Sequence, residues 1–144
     1  METVKLYELK KIQSEFPKQK ITRSEQAAYF IKGFYRDDIE IFESFFILLV
    51  NRSNETIGYA KISQGGTVGT IVDVKIIAKY CIDSLANGVI LAHNHPSGNL
   101  NFSEQDIMMT KKIKKALTYI DVTVLDHIVL TNSAYSSMAD ENKL

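Results

Sequence analysis

The sequence is short of several things, and each shortage excludes a class of protein. It has one cysteine, Cys81, so it can build neither an internal disulfide nor a cysteine-rich zinc site. Cys81 sits in an apolar helical pattern and reads as a small buried hydrophobe. No apolar run approaches the ~20 residues that a membrane-crossing helix needs, and Met1 opens a charged, mixed segment unlike a signal peptide. The expectation is a cytoplasmic protein with no membrane partner. Charge of one sign is also missing, since 17 basic residues balance 17 acidic ones for a net charge of zero. A dedicated nucleic-acid binder usually carries a basic excess, so net charge does not support nucleic acid as a partner. Internal repeats and low-complexity segments are absent.

What is present is one domain's worth of chain. A chain of 144 residues buries roughly two-thirds of its unfolded surface as a single domain. Residues 2–12, ETVKLYELKKI, alternate enough at Val4, Leu6 and, after a slip, Leu9 to predict an edge strand, and Pro17 interrupts the polar connection after it. Residues 1–20 are therefore expected to form a strand and linker, and residues 21–144 a single domain. Thr22 opens a helix, with Thr22-x-x-Glu25 at capping-box spacing and an apolar stripe at Ala27, Ala28, Phe30, Ile31 and Phe34.

Residues 43–51, ESFFILLVN, are apolar on both alternating faces, the pattern of a central strand covered on both sides. Arg52-Ser53-Asn54-Glu55 predicts a hairpin turn into a strand over residues 56–63. Gly65-Gly66 and Gly69 punctuate the passage to a helix over residues 73–85, with Asn87-Gly88 as its stop. A short buried strand over residues 89–95 ends at Pro96-Ser97-Gly98. A helix from Ser103 to about Tyr119 and a β-branched strand over residues 122–131 follow, ahead of a polar tail from Ser133. Alternating strands and helices of this kind predict a three-layer α/β domain with a mixed sheet.

Chemistry concentrates in residues 90–110, ILAHNHPSGNLNFSEQDIMMT. His93 and His95 lie two apart on a strand, so both imidazoles point to one side. Imidazole pairs suit zinc, which catalytic sites hold with three protein ligands and a position open to water. Asp106 is the candidate third ligand. It falls on the helical arc shared by Met109, Ile113, Ala116, Leu117 and Ile120, where an unpaired carboxylate would be costly and a cation would relieve it. Ser103-x-x-Asp106 is equally a capping box, and the two readings are compatible. Either histidine alone would more often be structural; the pair with Asp106 reverses that.

A hydrolase also needs a base beside its metal. Glu43, opening the most apolar strand, is the best-placed upstream carboxylate, although strand-end glutamates are commonly solvated. Asp126 and His127 read either as outer support for a metal ligand or as a hydrogen-bonded sheet pair. The Lys111–Lys115 cluster reads as a phosphate contact or, more simply, as a solvated helix face.

The segment HNHPSGNLNFSEQD resembles the JAMM motif of the MPN/JAB metallopeptidase superfamily: His-x-His, seven residues, Ser, two residues, Asp. The wording HNHPSG, with LDHIVLT downstream and Tyr135-Ser136 near the end, resembles the RadC-like branch over roughly residues 22–144. That resemblance implies a three-layer, cytidine-deaminase-like JAB fold with a mixed, mainly antiparallel sheet flanked by helices. It also implies zinc held by His93, His95 and Asp106, a catalytic Glu43, and Ser103 as hydrogen-bond donor to the developing oxyanion.

Two stretches depart from the branch. Asn99-Leu100-Asn101-Phe102 lacks the usual prolines, which leaves that loop less constrained. Val74-Lys75-Ile76 follows Asp73 where Pro-Arg-Glu is expected, and this bears on specificity. The first 20 residues do not resemble the helix-hairpin-helix region of longer RadC-like proteins, so the chain reads as an isolated JAB domain. The insertions with which ubiquitin-cleaving relatives grip their substrate are also missing. The function expected is zinc-dependent hydrolysis of an amide bond in a peptide or protein. The alternatives are a non-catalytic, DNA-associated accessory module that keeps a metal site and a protein acting directly on DNA.

Overall fold

The computed structural model describes residues 1–8, 11–65 and 71–144. Its centre is β1 (Ser44–Val50), buried at every position. Alternation sends Phe45, Ile47 and Leu49 to one core and Phe46, Leu48 and Val50 to another, so this strand has no solvent face. It pairs antiparallel with β2 (Thr56–Gln64) and with β3 (Gly88–Asn94). Next to β3 lies β4 (Thr123–Leu130), parallel to it, and then the short antiparallel β5 (Tyr135–Ser137). The sheet order is β2-β1-β3-β4-β5.

Helix α1 (Ser24–Lys32) packs Ala27, Ala28, Phe30 and Ile31 on one face of the sheet. Helices α2 (Val74–Ser84) and α3 (Glu104–Thr118) cover the other face with Ile77, Cys81, Ile113 and Leu117. The parallel pair β3–β4 needs a long crossover, and α3 supplies it. This is the expected three-layer α/β architecture with a mixed sheet. Among the described residues, no helix is long and apolar enough to cross a membrane.

One irregularity in β4 matters for everything that follows. Val89 pairs with Val124, but Ile90 pairs with Asp126, so Leu125 is an extra residue in the ladder. A bulge of this kind shifts the side-chain alternation by one. Val124 faces the α2–α3 core, Leu125 packs on the α1 side, and the shift then turns His127, opposite Leu91, back toward the α2–α3 side. Gly88 makes room for the bulge: a Cβ there would stand 3.0 Å from both Leu125 and Val50 side chains.

Three expectations need correction. Residues 2–8 form no strand, and Leu6 remains 84% exposed; Leu9 and Lys10 lie outside the described residues. The start of the β2 edge is already occupied by Gln19–Ile21, through the Lys20–Glu55 bridge and the Thr56 N–H donating to Gln19 O. Thr22 does not cap α1; its amide and hydroxyl both donate to Gln26 Oε1, and Arg23 is an N-cap without a side-chain bond. The stop of α2 is not Asn87-Gly88 but Leu85, at φ 54°, while Gly88 begins β3. The expected break at Gly66 and Gly69 lies outside the described residues.

The polar tail also holds more structure than expected. Beyond β5, Met138 is fully buried and its amide donates to His127 O. Asp126, on the α1 side, accepts from Ser137 Oγ at 2.6 Å, Ala139 N at 3.0 Å and His127 N at 2.7 Å. Burial pushes its carboxyl pKa up against the pull of these donors. Asp126→Ala is therefore expected to cost about 2–3 kcal/mol by stranding buried donors. Hydrogen exchange checks this: the Tyr135–Ser137 amides should lose protection before those of β1.

Candidate metal centre

The site is built where β1 begins and β3 ends, on the α2–α3 side of the sheet. His93 is in the last turn of pairing, opposite Phe45, and its ring lies nearly parallel to that phenyl at 8°, with centroids 6.1 Å apart. It is buried, whereas His95 and Asp106 stand at the rim with side chains 16% and 15% exposed. His95 follows the strand, its amide donating to Leu130 O. The turn Pro96–Gly98 then reverses the chain, with Gly98 at φ 86°, a left-handed conformation suited to glycine.

Three elements bring their groups together. His93 Nε2 is 3.0 Å from His95 Nε2, 3.4 Å from Asp106 Oδ1, and His95 Nε2 is 3.7 Å from Asp106 Oδ2. Ligand atoms of Glu43, His93 and His95 all lie within 4.8 Å of one another. Glu43, His93, His95 and Asp106 therefore converge from β1, β3 and α3, although they span more than 60 residues of sequence.

The donor chemistry of this cluster fits a cation. His95 Nδ1 is 2.6 Å from Asn99 O; a carbonyl only accepts, so His95 carries a proton on Nδ1 and its neutral ring turns a lone pair toward the cluster. The carboxylates of Asp106 and Glu43 offer lone pairs only. Two imidazoles and two carboxylates are a ligand set suited to zinc and related divalent metals. For Asp106, burial works to raise the pKa, but its close contacts with the His93 and His95 rings, with the Ser103 amide donating to it, hold the carboxyl well below the usual range. The same contact with Asp106 raises His95 against the lowering effect of burial.

Ser103 is the N-cap of α3. Its Oγ accepts from Asp106 N at 3.0 Å, and its amide donates to Asp106 Oδ2 at 2.9 Å, a complete capping box. Asp106 thus serves the helix end and faces the histidines at once. The Ser103 hydroxyl, accepting there, still has its proton to give.

The proline-poor loop over residues 99–102 is tied down by hydrogen bonds. Asn101 N donates to Asn99 Oδ1 at 2.9 Å, and Ser136 Oγ of β5 donates to Leu100 O at 2.6 Å. The altered segment at residues 74–76 is the first turn of α2, capped by Asp73, whose Oδ1 accepts from Lys75 N at 2.8 Å.

Asp126 and His127 separate. Asp126 holds the tail and does not touch the His127 ring. His127, fully buried, brings Nε2 to 2.7 Å from His93 Nδ1 and Nδ1 to 2.6 Å from Thr110 Oγ1. Burial drives its pKa well below the ordinary value, so the ring is neutral.

Two residues of the site escape sequence reading. One is Thr110, on the helix turn after Asp106. The other is Asn94, between the two histidines and pointing to the opposite face, with no exposed surface. Its Nδ2 donates to Ile39 O at 2.6 Å and Phe42 O at 2.8 Å, and its Oδ1 accepts from Ser44 N at 2.8 Å. Phe42 and Ser44 flank Glu43, whose own carbonyl accepts from Gly65 N. The ligand strand thereby fixes the backbone on both sides of Glu43. The only trace in the sequence is a polar residue at a buried strand position.

Comparisons with known proteins give the chain its family. The family model described as RadC-like JAB domain matches residues 21–144. A UPF0758 protein of Flavobacterium johnsoniae is 48% identical over 99 residues, covering 69% of this chain and 43% of that protein. A UPF0758 protein of Porphyromonas gingivalis is 39% identical over 132 residues, covering 90% of this chain and 57% of its own length. The chain spans about half the length of these relatives. With its sheet order, its converging histidines and carboxylates, and a family match over nearly all of its length, the chain belongs to the RadC-like JAB domain family.

Proposed function

We propose that this domain is a zinc-dependent hydrolase of amide bonds in peptides or proteins. The observation that carries the reading is the convergence of Glu43, His93 and His95 within 4.8 Å, with Asp106 reaching both histidines. His93, His95 and Asp106 would hold the metal, which supplies Lewis acidity toward water and the substrate carbonyl. The Glu43 carboxylate takes a proton from the attacking water and delivers it to the departing amine. Ser103 Oγ donates its free proton to the developing oxyanion. The Asn94 clamp keeps Glu43 in place through that transfer. The zero net charge gives no support to direct action on DNA.

The test compares zinc-loaded wild type with Glu43→Gln on a fluorogenic peptide library. Loss of the base should cut turnover by about 10²–10⁴-fold while zinc remains stoichiometric. Equal turnover by both proteins would sink the assignment of Glu43. A wild type that binds zinc and cleaves nothing would instead favour a non-catalytic module.

A further inference from the structure

Behind His93, on the side away from the proposed metal, runs a chain of three buried groups: His93 Nδ1 to His127 Nε2 at 2.7 Å, and His127 Nδ1 to Thr110 Oγ1 at 2.6 Å. It ends at Asp106 O, also 2.6 Å from Thr110 Oγ1. The proton positions along it follow from the far end. A carbonyl oxygen only accepts, so the single hydroxyl proton of Thr110 goes to Asp106 O. The hydroxyl oxygen must then accept from His127, which places the His127 proton on Nδ1. His127 Nε2 is left as an acceptor and takes its hydrogen bond from His93, which places the His93 proton on Nδ1.

We infer that Thr110 and His127 are positioning residues that hold His93 in its Nδ1–H form and so leave its Nε2 free to bind the metal. The inference rests on the metal reading above and adds two residues to it. With His95 held in the same form by Asn99 O, two proton-free Nε2 atoms face each other 3.0 Å apart, with Asp106 oxygens at 3.4 and 3.7 Å. With no hydrogen among them, that cluster is favourable only with positive charge in it, which a metal ion supplies without changing the proton on either Nδ1.

The reverse arrangement has the same number of protons and the opposite effect. If the Thr110 hydroxyl donated to His127 Nδ1, His127 would donate to His93 Nδ1, and the His93 proton would occupy Nε2. Thr110 decides between the two because its hydroxyl oxygen is the terminal acceptor. Thr110 and His127 are 2% and 0% exposed, so water cannot replace that acceptor.

Long-range ¹⁵N NMR of the imidazoles in the zinc-loaded full chain tests the proton positions, and chelator competition measures zinc affinity. In wild type, both His93 and His127 should carry their protons on Nδ1. Thr110→Val, which keeps the shape and removes the hydroxyl, should weaken zinc binding by about 10–100-fold, the usual effect of losing an outer partner of a metal-bound histidine. Thr110→Ser should restore the wild-type affinity, a rescue that a purely packing role would not produce. A His127 proton on Nε2 in the wild type, or unchanged zinc affinity in Thr110→Val, overturns the inference. Absence of zinc binding by wild type overturns instead the metal reading beneath it. If Thr110→Val does not fold, the wild-type proton positions decide the matter alone.

Discussion

Zinc added to metal-free protein is expected to raise its melting temperature by about 10–15 °C when free zinc exceeds its dissociation constant a thousandfold. A ligand at that excess stabilises the fold by about 4 kcal/mol. In a domain of this size each kcal/mol moves the midpoint by roughly 3–4 °C. Asp106→Asn should remove most of that rise, because it withdraws the carboxylate charge while leaving an oxygen to accept from the Ser103 amide. Asp106→Ala would remove the rise as well, but it also destroys the capping box and lowers the metal-free midpoint.

The size of the rise should depend on pH. In the metal-free protein the His95 pKa is raised by its contact with Asp106. That contact contributes stability that is fully present below the unfolded histidine value and fades as pH rises through the folded one. Protons and zinc compete for the same Nε2 lone pair. The zinc-induced shift should therefore be largest above the raised His95 pKa and shrink as pH falls through it. Scanning calorimetry at several pH values measures this; equal shifts in wild type and Asp106→Asn would remove Asp106 from the ligand set.

Asn94→Asp is the second large effect. The substitution changes almost nothing in volume, yet it points a carboxylate oxygen at the carbonyls of Ile39 and Phe42, where Asn94 Nδ2 now donates. Two acceptors would then face a buried charge with no hydrogen between them. The expected cost is about 3–5 kcal/mol, that of a buried charge without its partners. A urea titration gives the number directly. Asn94→Asp that melts like wild type would show that Glu43 does not depend on this clamp.

Parts of this molecule are open to direct reading. β1 betrays itself because both of its faces are apolar, and the α3 stripe carries Asp106 with it because a charge has no business there unpaired. Local chemistry was enough for Ser103 as well, since a capping box closes within one turn. What hides is whatever depends on a distant partner. The Asn94 bonds reach back 50 to 55 residues, and the His127 ring meets Thr110 across 17. Neither separation has a periodic signature. β5 escapes because three residues of Tyr and Ser form a strand only once β4 offers them an edge. Residues 2–8 show the converse: alternation that is not laid against a sheet edge yields no strand.

The extra residue at Leu125 has a consequence for anyone carrying residue roles from this chain to its relatives. Across a regular strand, counting by twos is enough to say which side chains share a compartment. In β4 that count is good only up to Val124 and restarts after the bulge. A relative without the extra residue, aligned here position for position, would have its neighbours of the site assigned to the wrong half of the protein. The tail anchor, Asp126, would be mistaken for a neighbour of His93, and His127, the residue that does reach His93, for packing. Parity has to be counted from the Leu91–His127 pair outward, and the spacing between Val124 and His127 shows whether a relative shares the same wiring.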